Sequence, residues 1–458
     1  MTSLEEGATA RSLEPVPARD WRSRRAAGRA GRKRAPRRDL GRWDPIARGH
    51  DAMDILLAQN TIRAEELLPM RTGRMAATPW TYYRGAAAVM AADLGSRPHS
   101  GLIVQLCGDA HLLNFGLWAT PERNLSFDLR DFDETLPGPF EWDVARLVAS
   151  IVVLARTYDV PADRAESAVT ACLRAYRQRM ASYSNARWLD IWYDLITVDQ
   201  FLDVFADPDK IRAAAHIERK ARKRTHLGAF KKLTEQRGGH LRITEDPPVR
   251  QHRDDGLAEE LFGSYRESLP DERRHLLDRF ELVDTVRQVV GVGSVGMRVH
   301  LILLEGRDRK DPLFLQIKQA GPSVYESCCG PSRYDNHGRR VVEGKRLVQS
   351  ATDIFVGWTE GRGHDYYVRQ FRDMKIIANG ELIAPRLAAF AFACGKVLAR
   401  SHARTGDPVA IAAYIGKGRA FDEAMGAFAH AYADQTARDH RQWVDAIASG
   451  LLPSAPGW

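Results

Sequence analysis

The sequence predicts an α+β chain of two lobes, a mainly helical lobe first and a β-rich lobe second. Three observations predict it. Apolar residues recur at helical spacing over most of residues 46–280. At Glu281 the period changes to two, and five short strand-like runs follow before residue 380. From 381 onward the helical period returns. The chain has 458 residues, 44% of them hydrophobic, enough for a large core in more than one packed unit. The segments are then 1–45, a disordered basic tail; 46–280, a mainly helical large lobe; 281–380, a β-rich small lobe; and 381–458, C-terminal helices packing on the large lobe.

Residues 21–42 are rich in Arg, Gly and Ala and poor in large apolar side chains, so they read as a solvated leader with contact to nucleic acid or an anionic surface as its possible use. Ile46, Met53, Ile55, Leu56, Leu57, Leu67 and Leu68, then 86–94, suggest helices. Tyr82-Tyr-Arg-Gly85 stands just before the last of these, and Arg84 could reach a phosphate. Leu102–Leu106 reads as a buried strand and 125–129 as a second. Helix follows almost throughout 143–237, with Asp143 as the cap of a helix running to Tyr158, a new start at Pro161, an aromatic-rich helix over 186–205 and a basic one over 211–233. Gly238-Gly239 and Pro247-Pro248 mark a break. Strands are expected at 284–290, 297–304, 313–318, 353–358 and 365–371, with a helix at 334–349 after the third. Helices at 385–402, 420–436 and 438–449 close the chain.

Residues 1–45 hold twelve Arg or Lys against six Asp or Glu, so of the formal charge of +8 only +2 belongs to the remaining 413 residues. Basicity is therefore a property of the tail. Five cysteines with no C-x-x-C pair and an odd count do not form a disulfide framework, which points to a reducing cytoplasm. The start lacks an apolar targeting region, and no apolar run is long enough to span a membrane.

The densest cluster of chemically useful residues is Cys107-Gly-Asp-Ala-His-Leu-Leu-Asn-Phe-Gly116 with Phe127-Asp-Leu-Arg-Asp-Phe-Asp-Glu134. Two strand ends present Asp109, His111, Asn114, Asp131 and Asp133 in one small volume. Asp128 and Asp133 are equally readable as turn residues bonding their own backbone. The set suits phosphoryl transfer, in which the protein supplies positioning and charge neutralisation. Asp109 would orient the acceptor hydroxyl and take its proton, helped by His111. Asn114 and Asp131, with Asp133, would supply the hard oxygen ligands that Mg²⁺ prefers. The pattern resembles the catalytic core of the protein-kinase-like superfamily, most closely its aminoglycoside phosphotransferase branch, where the loop reads His-Gly-Asp-x-His-x-x-Asn and Ile-Asp-Phe or Ile-Asp-Trp follows. Cys107 stands where that branch has its first His.

Gly291-Val-Gly-Ser-Val-Gly296 joins two strands rather than opening a βαβ unit, which fits a flap over nucleotide phosphates and not a dinucleotide site. Gly291, Gly293, Ser294 and Gly296 would form that flap. Lys318 resembles the kinase strand lysine that pairs with the α- and β-phosphates, and Glu343 would orient it by an ion pair. A five-stranded sheet with one helix after the third strand is the small lobe of a kinase, yet here the catalytic loop precedes it. The resemblance therefore implies a circularly permuted two-lobed kinase-like fold. Tyr82-Tyr-Arg-Gly, Asp131-Phe-Asp-Glu-Thr and Tyr366-Tyr-Val-Arg-Gln also resemble a bacterial family called domain of unknown function 2252. The expected function is an ATP- and Mg²⁺-dependent phosphotransferase acting on a small-molecule or protein hydroxyl. Its alternatives are a metal-dependent phosphoesterase and a nucleotide-binding pseudokinase or scaffold; transfer of AMP by the same scaffold is a variant of the first.

Overall fold

A computed structural model describes residues 20–205, 217, 219, 226–238, 240–253, 255–371, 374–376 and 379–455. The molecule is mixed α+β. Helix α1 is Trp21–Arg34, α2 Pro79–Gly85, α3 Phe140–Thr157 and α4 Ala162–Tyr183. Later come α5 His337–Val348, α6 Leu387–Thr405, α7 Pro408–Ile415 and α8 Ala420–Ala448. The strands that position the site are β1 Ile103–Leu106, β2 Phe115–Ala119, β3 Leu125–Leu129 and β4 Leu136–Pro139, then β5 Glu281–Gln288, β6 Val299–Glu305, β7 Pro312–Ala320, β8 Gly357–Gly361 and β9 His364–Gln370.

Helix α3 is the axis of the helical part. Its second half, Leu147–Ala155, is almost wholly apolar, its first half carries Glu141, Asp143 and Arg146, and all but its last two residues are buried. Around it α4, α6 and α8 pack into one apolar cluster that also takes in β1 to β4. The stretch Gly380–Thr405 has the length and apolarity of a membrane span, but 61% of its apolar window is buried, as befits an interior helix. Strands β1 and β4 pair antiparallel, as do β2 and β3. The larger sheet runs β8-β9-β7-β6-β5 with every neighbour antiparallel, and a two-residue strand, Arg250–Gln251, extends the β5 edge. Read from the β5 edge, these five strands stand first, second, third, fifth and fourth in sequence order, with α5 inserted in the chain between the third and fourth. Alternating Ile302, Leu304, Leu313, Leu315, Ile317 and Val368 bury one face of the sheet against a helix, Leu257–Tyr265.

Several expectations are corrected. Residues 21–34 form a helix, not a solvated tail; residues 1–19 lie outside the described residues. Gly28 and Gly31 let α1 approach α7 closely, and a Cβ on Gly28 would stand 2.0 Å from the carbonyl oxygen of Ala410. Arg32 and Arg37 reach inward for a reason: Arg32 Nε donates to Tyr414 O at 2.9 Å and Arg37 Nη1 to Ile415 O at 2.6 Å, satisfying carbonyls that the end of α7 leaves open. Arg24 pairs with Asp407 at 2.7 Å beside the start of α7. Gly28→Ala should therefore cost about 1–3 kcal/mol through overpacking. Urea denaturation checks this, and an unchanged midpoint would mean that α1 is not docked.

The expected aromatic helix over 186–205 divides into Trp188–Tyr193 and Val198–Asp203, with a strand at Ile196–Thr197 between them. The strand expected at 353–358 begins only at Gly357, because the Asp353 carboxylate accepts from Phe355 N and Gln370 N and turns the chain there. The two terminal helices are one, since neither Gly nor Pro interrupts Thr436–Arg438. The basic helix expected over 211–233 lies largely outside the described residues, which include its last part, His226–Leu233.

Candidate functional site

Strand β1 ends in a turn that only glycine can make. Gly108 has φ +88°, and a Cβ there would stand 2.2 Å from Glu134 O. The turn is held from below by a stripe on α3. Asp143 does not cap its own helix; its carboxylate accepts from Cys107 N at 2.8 Å and Gly108 N at 3.1 Å. One turn on, Arg146 Nε donates to Asp109 Oδ1 at 2.8 Å, and after another turn Ser150 Oγ accepts from Leu112 N at 3.1 Å. Residues 143, 146 and 150 share one helix face, so a single rigid element fixes the backbone and the first carboxylate of the loop. Asn114 Nδ2 donates back to Asp109 O at 2.5 Å, which fixes the orientation of its amide.

These residues open into a cavity of about 230 Å³. Asp109, His111, Asn114, Asp131, Asp133, Gly291, Gly293, Ser294 and Lys318, expected together from distant parts of the sequence, all line it. Gly296 does not; its φ of +90° shapes the far side of the loop, where a Cβ would meet Arg63 at 2.8 Å. The glycine loop joins β5 to β6 and is pinned from outside, with Gly291 O accepting from Arg74 Nη1 at 2.6 Å and Gly293 O from Arg63 Nη1 at 2.8 Å.

Two role assignments change. Glu343 does not meet Lys318 and does not line the cavity; it pairs with Arg346 at 3.1 Å. The reason is the rotation of α5, set by Arg340, whose guanidinium donates to Thr135 O, Asp133 O and Gly321 O. Arg340 thus takes the place against the acidic turn, while Glu343, one turn on, pairs along its own helix with Arg346. Lys318 pairs with Asp133 instead. Asp133 also accepts from Tyr367 OH at 2.7 Å and Ser294 Oγ at 3.5 Å, so both its oxygens are engaged and it leaves the candidate metal ligands.

Asp131 is different. Its Oδ1 is buried with no hydrogen-bond partner, and no cation stands within ion-pairing distance among the described residues. Burial works to raise its pKa, but the charges of Lys318, Arg369 and Arg130 overcome this and hold the carboxyl well below its ordinary range. Burial raises Asp109 despite Arg146 beside it, and pushes Glu134 up to about 7. It drives His111 well below its ordinary value, with Arg84 and Arg146 acting in the same direction. Arg146, Arg130, Arg369 and Arg63 were not foreseen. Arg130 and Arg369 stood inside stretches already singled out, beside Asp131 and in Tyr366-Tyr-Val-Arg-Gln; nothing in the sequence marked Arg63.

Residues 63–446 match the model of a family described as uncharacterized proteins conserved in bacteria, DUF2252. The chain belongs to that family. No curated protein and no solved structure matches it. The DUF2252 match takes in every cavity residue except Gln59 and Ile62, while α1 lies outside it.

Proposed function

We propose that the chain is an ATP- and Mg²⁺-dependent phosphotransferase with a circularly permuted kinase-like fold. The observation that carries this reading is convergence: the glycine loop, Lys318 and the Asp109, Asn114 and Asp131 set come from stretches some 180 residues apart and line one cavity. The sheet order, with its helix after the third strand, supports it. So does the end of α6, where Thr405 Oγ1 accepts from Gln105 N at 3.1 Å and a Cβ on Gly406 would stand 3.0 Å from Ile103 O. A helix that precedes the catalytic strand in the ordinary order thus ends against that strand without a covalent link to it, as permutation requires.

The residues present fit the metal. Asp131 offers a buried oxygen without a partner, and Asn114 an amide whose nitrogen is already committed. Among the described residues no group of three or more His, Cys, Asp or Glu could hold a metal ion. That suits Mg²⁺, which takes one or two protein ligands and completes its shell with phosphate oxygens and water, and it leaves a two-metal phosphoesterase short of ligands. When bound, the metal would neutralise phosphate charge. Lys318, fixed by Asp133 and Tyr367, would bind phosphate from the sheet side. Arg146 occupies Asp109 Oδ1, so Oδ2, 3.6 Å from His111 Nε2, is the oxygen that would take the acceptor's proton.

Thermal unfolding with ATP, with and without Mg²⁺, tests the proposal. Ligand at about 1,000 times its Kd adds about 4 kcal/mol to stability, so a Mg²⁺-dependent rise in Tm is expected. No shift with any nucleotide would overturn the reading.

A further inference from the structure

The inner wall of the cavity carries more positive charge than the proposed nucleotide site uses. Lys318 is matched by Asp133, and Arg146, which does not line the cavity, is matched by Asp109. Arg84, Arg130 and Arg369 line the same cavity, and among the described residues none of them has a carboxylate at ion-pairing distance. Arg130 is held by Nε, which donates to Leu113 O at 2.8 Å. Arg369 is held by Nε and Nη2, both on Gln316 Oε1, at 3.2 and 2.9 Å. Their remaining guanidinium nitrogens have no protein acceptor among the described residues. The Arg84 side chain makes no hydrogen bond among the described residues, and its Nε is sealed from solvent without a partner. Arg84 and Arg130 each interact with the charge of Asp131, and Arg130 is repelled by both other arginines.

Three guanidiniums that line one cavity without an ion-pair partner among the described residues, partly withdrawn from water, are an arrangement that folding alone does not favour. A forked guanidinium matches the oxygens of a phosphate in geometry as well as charge. Resting on the proposed function, we propose that Arg84, Arg130 and Arg369 form a subsite for a dianionic phosphate group that binds without Mg²⁺. The phosphate has two possible sources, the nucleotide's own terminal phosphate or a phosphate carried by the acceptor, which would then be a phosphorylated small molecule with a free hydroxyl.

The test uses the full chain and inorganic phosphate, titrated without Mg²⁺ and followed by thermal unfolding, against Arg84→Gln and Arg84→Lys. Phosphate stabilises folded proteins generally by exclusion from their surfaces, so the reading is the difference between wild type and variant at equal ionic strength. Because Arg84 bonds nothing, Arg84→Gln should unfold at the same temperature as wild type or higher without phosphate. It should need roughly tenfold more phosphate for the same shift, the loss of one charge-assisted hydrogen bond, and Arg84→Lys should recover part of that loss. Repeating the titration with saturating Mg²⁺ and a non-hydrolysable ATP analogue, which fills the terminal-phosphate position that ADP would leave empty, separates the sources. A persisting phosphate shift assigns the subsite to the acceptor, and a shift abolished by competition assigns it to the nucleotide.

Equal phosphate response in wild type and Arg84→Gln would overturn the subsite, and so would Arg84→Gln unfolding well below wild type without phosphate. A phosphate response with none to ATP would leave the subsite standing and remove the proposed function.

Discussion

An Asp131→Asn chain should fold, lose the Mg²⁺-dependent part of its nucleotide binding, and turn over about 10³-fold more slowly or worse. The substitution preserves volume, and Asp131 makes no side-chain hydrogen bond among the described residues whose loss could disturb the loop. What disappears is one negative charge and one hard oxygen ligand. Removing a single group that stabilises developing charge in a preorganised site costs roughly 10²–10³-fold in turnover, and a metal ligand that also positions the phosphates should lie at or beyond the upper end. The sign of a second effect separates this account from simple damage. Lys318, Arg369 and Arg130 lower the pKa of Asp131, and by reciprocity Asp131 favours their charged forms. Without it the apo protein should melt somewhat lower, while ATP in the absence of Mg²⁺ should bind as well as before or better, because a like charge has gone. Titrations with and without EDTA measure both. A Mg²⁺-dependent shift that survives in Asp131→Asn would remove this residue from the metal site.

The candidate loop was legible because its residues are close in sequence: Asp109, His111 and Asn114 need only one turn, and Asp131 only the next strand end. Lys318 and the glycine loop were legible from their places on consecutive strands. The partner of Lys318 was not. Whether position 343 or another residue faces the lysine depends on rotation about α5, and Arg340 sets that rotation through three carbonyl oxygens on two other segments. Helical spacing predicts which residues share a face and says nothing about where the face points. Asp133, two residues beyond a residue already assigned, took the role. The N-terminal helix failed for a related reason. Composition describes what a segment can bury by itself, and α1 is held instead by arginines reaching carbonyls of α7, some 380 residues later. Asp143 was read as a helix cap, a local role; its partners, Cys107 N and Gly108 N, lie 35 residues or more upstream.

Asp128, three residues before Asp131, should behave in the opposite way, because its carboxylate serves the fold. It is fully buried, and its Oδ1 accepts from Leu129 N at 2.8 Å and from Arg400, itself only 1% exposed. Its Oδ2 accepts from Ser350 N at 2.8 Å and Ser350 Oγ at 2.7 Å. One side chain thus joins β3, the segment after α5, and the interior helix α6. Arg400 reaches Asp128 through Nη2, which also donates to Val348 O at 3.4 Å, while its Nε and Nη1 have no hydrogen-bond partner among the described residues, so a chain carrying Asp128→Ala keeps a guanidinium in the core with no counter-charge. Breaking a buried pair from one side costs about 3–5 kcal/mol, a large part of the roughly 5–15 kcal/mol that holds a domain folded. Replacing both partners should cost much less, since Asp128→Asn with Arg400→Met removes the stranded charge and leaves Ser350 an acceptor. Urea denaturation of Asp128→Asn, of Arg400→Met and of the double variant, read as a double-mutant cycle, measures the coupling. Asp128→Ala within about 1 kcal/mol of wild type would show that Arg400 finds another partner. A double variant that recovers stability and keeps Mg²⁺-dependent nucleotide binding would assign the first carboxylate of Asp-Leu-Arg-Asp to architecture and the second to chemistry.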